Sequence, residues 1–316
     1  MLQQTQAATV GPYFERFLTT FPTLQSLAKA TAHDVLKHWE GLGYYRRALQ
    51  LHAAAKRVVD EHAGTIPEHP DELAALPGIG RYTAGAIASI AFDSRAPILE
   101  ANTERLYCRL LAWPGDPTST ESRQRLWRFA EDLLPVSGSG ELNQALMDVG
   151  ATVCTPRQPA CERCPAELLC AARRLGLENS LPVAKSKPMI ERVSEAAVVV
   201  MRRRSVLLRK CAAGERWAGL WDFLRFPLPA AARVKQHRQI AGSVRELAGI
   251  EIDSPEPLVT IKHTVTRFRI TLEVFRADCR PGQRLSAALG ELCWVDPQKL
   301  PEYALSRTAR QIAELL

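Results

Sequence analysis

The chain has 316 residues, of which 46% are hydrophobic and 24% charged, and carries a net charge of +7. That is the composition of a soluble globular protein, and the length is long for one core, so two domains are expected. No apolar run reaches the roughly 18–20 residues that span a bilayer, and the opening MLQQTQAATV lacks the basic stretch and apolar core of a signal peptide. A membrane protein is excluded, and a cytoplasmic one is expected.

Basic charge of this size favours a polyanionic partner, although many soluble proteins share it. From Gln6 to about Arg174 the pattern is helical. Tyr13, Phe14, Phe17 and Phe21 recur at helical spacing, as do Val35, Leu36 and Trp39. Pro22, Gly41, Gly43, Pro67, Pro70, Pro77 and Pro97 punctuate the segments. An all-α domain of eight to ten short helices follows from this. Gly41-Leu42-Gly43-Tyr44-Tyr45-Arg46-Arg47 closes one helix and opens the next, with Gly41 or Gly43 suited to the C′ position. Tyr44 and Tyr45 read equally well as core packing and as an aromatic wedge into a base stack, with Arg46 and Arg47 on phosphate.

The stretch Leu76 to Arg109 has the strongest local organisation. Pro77-Gly78-Ile79-Gly80 forms a tight turn, where Gly78 and Gly80 tolerate φ > 0, and a helix with an apolar face follows. A turn feeding a helix start leaves backbone N–H groups and a dipole suited to phosphate. The loop after that helix carries Glu100 and Asn102. Glu100 reads either as a catalytic carboxylate or as a cap on the helix beginning near Asn102.

Eight cysteines are present, four clustered and four scattered, unlike a secreted disulfide framework. Cys154, Cys161, Cys164 and Cys170 have the spacing C-x6-C-x2-C-x5-C. Zinc held by four cysteines usually uses two C-x2-C knuckles. A [4Fe–4S] cluster accepts irregular spacing and stands ahead of zinc as the candidate. Arg157, Arg163, Arg173 and Arg174 surround these cysteines, as in a phosphate-binding lobe. Cys108, Cys211, Cys279 and Cys293 read as simple packed thiols.

From Leu175 to Val193 the chain turns to proline and lysine without an apolar period and reads as a linker. Beyond it, Ala196 to Met201 and Val206 to Leu208 form a hairpin around Arg202-Arg203-Arg204. Leu220 to Phe223 and Phe268 to Phe275 read as further β structure, with helices over Val234 to Ala248 and from Ser306. This is an α+β domain.

The hairpin, the acidic loop and the cysteine run together resemble the endonuclease III helix-hairpin-helix superfamily. MLQQTQAATVGPYFERF, WEGLGYYRRALQLHAAA, LPGIGRYTAGAIASIAF and LNQALMDVGATVCTPRQPACERCP resemble the MutY family of adenine DNA glycosylases. The resemblance implies a helix-hairpin-helix glycosylase domain with a [4Fe–4S] loop over 1–174, a linker over 175–193, and a MutT-like (Nudix-like) lesion-recognition domain over 194–316. It implies a monomer that removes adenine mispaired with 8-oxoguanine or guanine in double-stranded DNA, by hydrolysis of the N-glycosidic bond. The adenine must leave the stack, and an oxocarbenium-like sugar must be stabilised.

Carried over by residue, Glu100 stands where the family has aspartate and reaches roughly 1.5 Å further. Tyr82 stands where bifunctional relatives place a Schiff-base lysine, which disfavours a lyase reaction. Asn102 supports the carboxylate and the adjacent phosphate. Gln4 and Thr5 match residues that contact DNA around the lesion. The family's adenine-protonating glutamate falls ahead of Met1, so a start further upstream is expected; the alternative is a truncated, catalytically impaired lesion-binding protein. Cleavage of oxidised pyrimidines, as by endonuclease III, is a weaker third reading. In the C-terminal domain Arg245-Glu246-Leu247 keeps one glutamate where a nucleotide hydrolase needs a cluster, which points to recognition and away from hydrolysis. The tip that reads oxidised guanine in the family aligns with Val265-Thr266-Arg267, where Thr266 keeps the hydroxyl.

Overall fold

The computed structural model of the chain describes residues 1–3, 5–183, 189–228, 233–286 and 291–316. Among these residues the apolar spacing of the first half folds as ten helices: α1 (Ala7–Thr20), α2 (Leu24–Lys29), α3 (Ala32–Trp39), α4 (Arg46–Glu61), α5 (Pro70–Ala75), α6 (Arg81–Phe92), α7 (Ala101–Leu110), α8 (Thr120–Asp132), α9 (Ser139–Thr152) and α10 (Ala171–Leu175). Local chemistry marks their starts. Thr23 and Thr31 close capping boxes on α2 and α3, and α5 starts with Pro70 at its first turn behind the His69 cap. No helix among the described residues is long and apolar enough to cross a membrane.

The chain gathers into two compact units, one of residues 57–187 and one joining 1–56 to 188–316. One cut, between 187 and 188, falls within the expected linker 175–193, whereas the other, between 56 and 57, falls inside α4 and divides the expected helical domain. The physical reason lies in side chains that tie the first helices to the C-terminal segment. A Cβ on Gly219 would lie 3.1 Å from Leu36 Cδ1. His33 Nε2 lies 3.1 Å from the Glu302 carbonyl oxygen, and the Arg310 guanidinium grips the Glu40 carboxylate.

Within 57–187, α6, α7 and α9 pack through close backbone approaches. At Gly85 on α6 a Cβ would stand 2.2 Å from the Pro97 carbonyl oxygen, so only glycine lets the 97–100 loop lie against the helix. At Gly150 on α9 it would stand 2.9 Å from Asn102 Cβ. Buried Asn143 donates from Nδ2 to Ser89 Oγ and to the Ala96 carbonyl, both at 2.9 Å. The loop leading to Glu100 is therefore seated on α6 and α9.

The C-terminal segment builds a mixed sheet from β1 (Glu191–Arg202), β2 (Ser205–Lys210), β3 (Trp221–Asp222), β4 (Leu224–Pro227), β5 (Glu256–Val265), β6 (Phe268–Asp278) and β7 (Leu292–Val295), in the order β3-β2-β1-β6-β5 with β4 on β1 and β7 on β2. Two helices, α11 (Arg233–Ala248) and α12 (Arg307–Ala313), complete it. β1 and β6 run parallel, from Glu191 opposite Phe268 to Met201 opposite Asp278. Successive β1 side chains enter two cores. Ala196, Val198 and Val200 pack with Ile240 and Val244 of α11, whereas Ala197 and Val199 pack with Ala309 and Ile312 of α12. Burial on both faces explains why this strand reads as a continuous apolar run. The expected β1–β2 hairpin and both helices are present; β4, β5 and β7 were not anticipated.

Gly85→Ala is expected to lower stability by about 1–3 kcal/mol, because the Pro97 carbonyl has to move. Urea unfolding of the purified variant against the parent chain measures it.

Candidate active site and nucleic-acid interface

In the 57–187 unit, α5 and α6 flank the Pro77–Gly80 turn and form a helical hairpin. Gly78 has φ +77°, a conformation that favours glycine. Gly80 differs from expectation. It is the N-cap of α6 with extended backbone at φ −91°, so its left-handed freedom goes unused. What its missing side chain provides is open space, since a Cβ there would touch nothing within 4 Å. No side chain caps α6, and the first N–H groups of any helix have no partner within it.

Tyr82 lies in the first turn of α6, half-buried, and its hydroxyl donates to Met147 Sδ at 3.5 Å. Glu100 is the N-cap of α7, which starts at Ala101. Its Oε1 accepts from the Thr103 N–H at 3.0 Å, and Thr103 Oγ1 accepts from the Glu100 N–H at 2.9 Å. The capping reading of Glu100 is thus realised in full. The same carboxylate sits among phenols. Burial first, and then the Glu100 charge, push Tyr82 and Tyr107 above the ordinary tyrosine range. Tyr82 therefore stays neutral at physiological pH.

Asn102 is the second residue of α7 and its Oδ1 accepts from Arg105 Nη2 at 3.0 Å. Arg105 is buried. It also donates to the carbonyls of Cys154 at 2.7 Å and Gly150 at 2.5 Å. Arg109, one turn further, donates from Nη1 to Cys154 Sγ at 3.2 Å and to the Thr155 carbonyl at 2.8 Å. Sequence reading passed over both arginines, and only their i, i+4 spacing along one face of α7 signals them.

Cys154, Cys161, Cys164 and Cys170 line a single cavity with Arg109 and Arg173. Among the described residues no group of three His, Cys, Asp or Glu side chains is arranged to hold one metal ion. The arginine rim expected around the cysteines divides. Arg157, Arg163 and Arg174 are exposed. Arg173 is bound to carboxylates, with Glu167 at 3.1 Å and Glu178 at 3.4 Å, so it is a brace of the loop and no phosphate ligand. Cys108 and Cys211 are buried, while Cys279 and Cys293 are only partly so.

The other unit holds the remaining candidates. Gln4 lies outside the described residues. Thr5 accepts from Arg47 Nη2 at 3.1 Å. Arg47 also donates to the carbonyls of Met1 at 2.9 Å, of Gln3, and of Gly43 at 3.3 Å. Arg47 is therefore structural, while Arg46 is exposed. The two tyrosines separate in the same way. The Tyr45 hydroxyl accepts from the Gly41 N–H at 3.2 Å, whereas Tyr44 is 53% exposed and has φ +47°. Thr266 occupies the tip of the β5–β6 hairpin, exposed, with φ +52° and its hydroxyl donating to the Val265 carbonyl at 2.7 Å. A left-handed β-branched residue is rare and stores strain. Arg267 beside it lies over the Phe268 ring and 3.6 Å from Glu191.

Residues 1–132 match the model of HhH-GPD superfamily base excision DNA repair proteins, and residues 196–315 match the NUDIX domain. The adenine DNA glycosylase of Homo sapiens is 40% identical over 250 residues, 79% of this chain and 45% of that protein. That of Rattus norvegicus is 45% identical over 192 residues, 60% of this chain and 37% of that protein. The adenine DNA glycosylase of Buchnera aphidicola subsp. Schizaphis graminum is 37% identical over 226 residues, 72% of this chain and 65% of that protein. The chain thus spans between 37% and 65% of the length of these relatives. A solved structure described as a thermostable thymine-DNA glycosylase superposes with a TM-score of 0.50 at 29% identity, over 55% of this chain and 80% of that one.

Beneath the Thr266 hairpin, His263 Nε2 lies 3.3 Å from Arg225 Nη2, and Arg225 and Arg216 both bind Glu195. Burial, then the Arg225 charge, lowers the His263 pKa to about 4; Glu195 opposes and Arg216 adds to the shift. The folded value lies below the unfolded one near 6.5, so the unfolded chain binds the extra proton in between. Stability is expected to be full above about pH 6.5 and to fall as pH drops towards 4. Urea midpoints across that range measure it, and His263→Gln should flatten the slope.

Proposed function

We propose, for a chain that belongs to the HhH-GPD superfamily of base excision DNA repair proteins and continues into a NUDIX domain, that it is a monofunctional DNA glycosylase. It removes adenine paired with 8-oxoguanine or guanine in duplex DNA by hydrolysing the N-glycosidic bond. The observation that carries this reading is the pairing of Glu100 with Tyr82. The Glu100 carboxylate, at the start of α7, lies near enough to Tyr82, in the first turn of the hairpin helix α6, for its charge to help raise the pKa of that phenol.

Departure of adenine takes the bonding electrons and leaves cationic character on the sugar. A carboxylate held in place lowers the energy of that cation without reorganising. Thr103 fixes the Glu100 rotamer, and Arg105 fixes Asn102 beside it. A water molecule then adds to the anomeric carbon, and the proton it gives up balances the one gained by the departing adenine, which leaves as the neutral base. Tyr82 has no amine, so no Schiff base forms at that position.

The four thiols Cys154, Cys161, Cys164 and Cys170 suit a [4Fe–4S] cluster, since they share one cavity and offer only soft sulfur donors. When bound, such a cluster ties the 154–170 loop into one rigid body and supplies a redox centre. Arg109 would hold one of its ligand sulfurs. DNA is assigned to Gly78 and Gly80 in the hairpin, to Thr5, Tyr44 and Arg46, to Thr266, and to the exposed Arg157, Arg163 and Arg174. We divide the chain into a catalytic segment 1–174, a linker 175–193 and a recognition segment 194–316. We place it as a monomer in the cytoplasm, at the nucleoid of a bacterial cell.

A second reading, a lesion-binding protein without turnover, draws on the Glu100 carboxylate being engaged as a helix cap. Glu100→Gln separates the two, because the amide oxygen still accepts from Thr103 while the charge is gone. Single-turnover adenine release from a duplex with adenine opposite 8-oxoguanine is expected to fall by about 100-fold or more, with unchanged thermal stability. Glu100→Ala should lose release and about 1 kcal/mol of stability together. Release by Glu100→Gln at the parent rate would leave Glu100 as a cap alone, and tight binding without release by the parent chain would favour the second reading.

A further inference from the structure

The turn that presents Tyr44 is anchored from two sides. On its C-terminal side, Arg47 Nη2 and Trp39 Nε1 both donate to the Gly43 carbonyl, at 3.3 and 3.1 Å, and the Arg47 guanidinium lies 5.4 Å from both the Tyr44 and Trp39 ring centres. On its N-terminal side stands Glu40, the C-cap of α3 and the residue immediately before Gly41. Its carboxylate is held by a fork. Arg310 of α12 donates from Nε to Oε1 at 2.7 Å and from Nη2 to Oε2 at 3.0 Å. The same guanidinium is fixed at its other edge by the carbonyls of Leu300 and Tyr303, at 2.9 and 2.8 Å. Glu40 is 16% exposed and Arg310 is 23% exposed, so the pair is largely out of water. Lys37 also reaches Glu40 Oε2, at 3.2 Å, but it belongs to α3 itself and ties the turn to nothing outside that helix.

Tyr44 needs such anchoring. Its φ of +47° is an unfavourable conformation for a bulky residue, and a strained backbone persists only where its surroundings over-determine it. The residue is 53% exposed, so burial of its side chain supplies little of the restraint. A planar guanidinium meeting a carboxylate through two parallel bonds supplies direction as well as attraction, which a lysine at the same place would not.

We infer that Arg310, through Glu40, is a positioning residue for Tyr44, so that the C-terminal helix α12 helps set the aromatic side chain presented to DNA. The inference rests on the reading of Tyr44 as a DNA contact that enters the base stack. It makes the C-terminal segment part of the device that opens the duplex, in addition to any part played by Thr266.

The test uses the full chain and a duplex carrying adenine opposite 8-oxoguanine, with 2-aminopurine as the neighbouring base, whose fluorescence rises on unstacking. Tyr44→Ala defines the signal that depends on the ring. Glu40→Ala leaves Arg310 bound to its two carbonyls, so α12 stays in place while the turn is released. Glu40→Ala and Arg310→Ala are each expected to lose the Tyr44-dependent rise, and the double variant to lose no more than either single one. Salt-dependent binding to undamaged duplex, which reports phosphate contacts, should stay unchanged. A full fluorescence rise in Glu40→Ala would overturn the inference, as would additive losses in the double variant. Equal rises in the parent chain and Tyr44→Ala would overturn the reading of Tyr44 itself, and the inference with it.

Discussion

The Arg105 guanidinium is the interaction on which the unit of residues 57–187 depends. It is buried and donates to the Cys154 and Gly150 carbonyls, to Asn102 Oδ1, and at 3.4 Å to the Ala101 carbonyl. A cation taken out of water costs several kcal/mol, and this one is offset by hydrogen bonds on each edge of its plane. Arg109 repeats the device one turn along, with the Cys154 sulfur among its acceptors. Because Glu100 caps the same helix, the carboxylate and the cysteine loop are positioned by one rigid element. Glu100 and the arginines that bind the cysteine loop thus belong to one ten-residue helix and its cap.

Guanidinium groups play the same part in the other unit. Arg47 draws the first residues of the chain onto the Gly43 turn, and Arg310 holds that turn from the C-terminal segment. Arg47 lies where backbone carbonyls and the Thr5 hydroxyl converge, and Arg310 where backbone carbonyls and the Glu40 carboxylate do, in each case from segments far apart in sequence. Arginine suits these places because its fork meets several acceptors in one plane. The candidate chemistry thus stands on a few buried or half-buried cations.

Much of this architecture is legible in the sequence, and the limits have physical causes. Helix periodicity gave an all-α first half of eight to ten helices, of which ten form among the described residues, and the run Ala196–Met201 read as a hairpin strand, which the structure buries on both faces. The hairpin turn, Glu100 and the four cysteines could be located from motifs alone. The short strands β4 and β7 could not, because four residues carry too little alternation. Gly80 looked like a conformational glycine and is one of open space. Arg105, Arg109 and Arg310 were passed over, and Arg47 was read as a phosphate contact, because a charged residue reads as surface until its acceptors, some from 40 to 270 residues away, are brought beside it. For the same reason the first 56 residues were assigned to the segment that follows them in sequence, although their contacts also join them to the last third of the chain.

The most direct test of this account is to measure iron content and single-turnover adenine release together in Arg105→Ala, a change that touches neither a cysteine nor Glu100. If α7 carries both sites through this guanidinium, the variant keeps its helical circular dichroism while iron retention and release fall together, by about 10–100-fold. Parent levels of iron and release in a folded Arg105→Ala chain would contradict it.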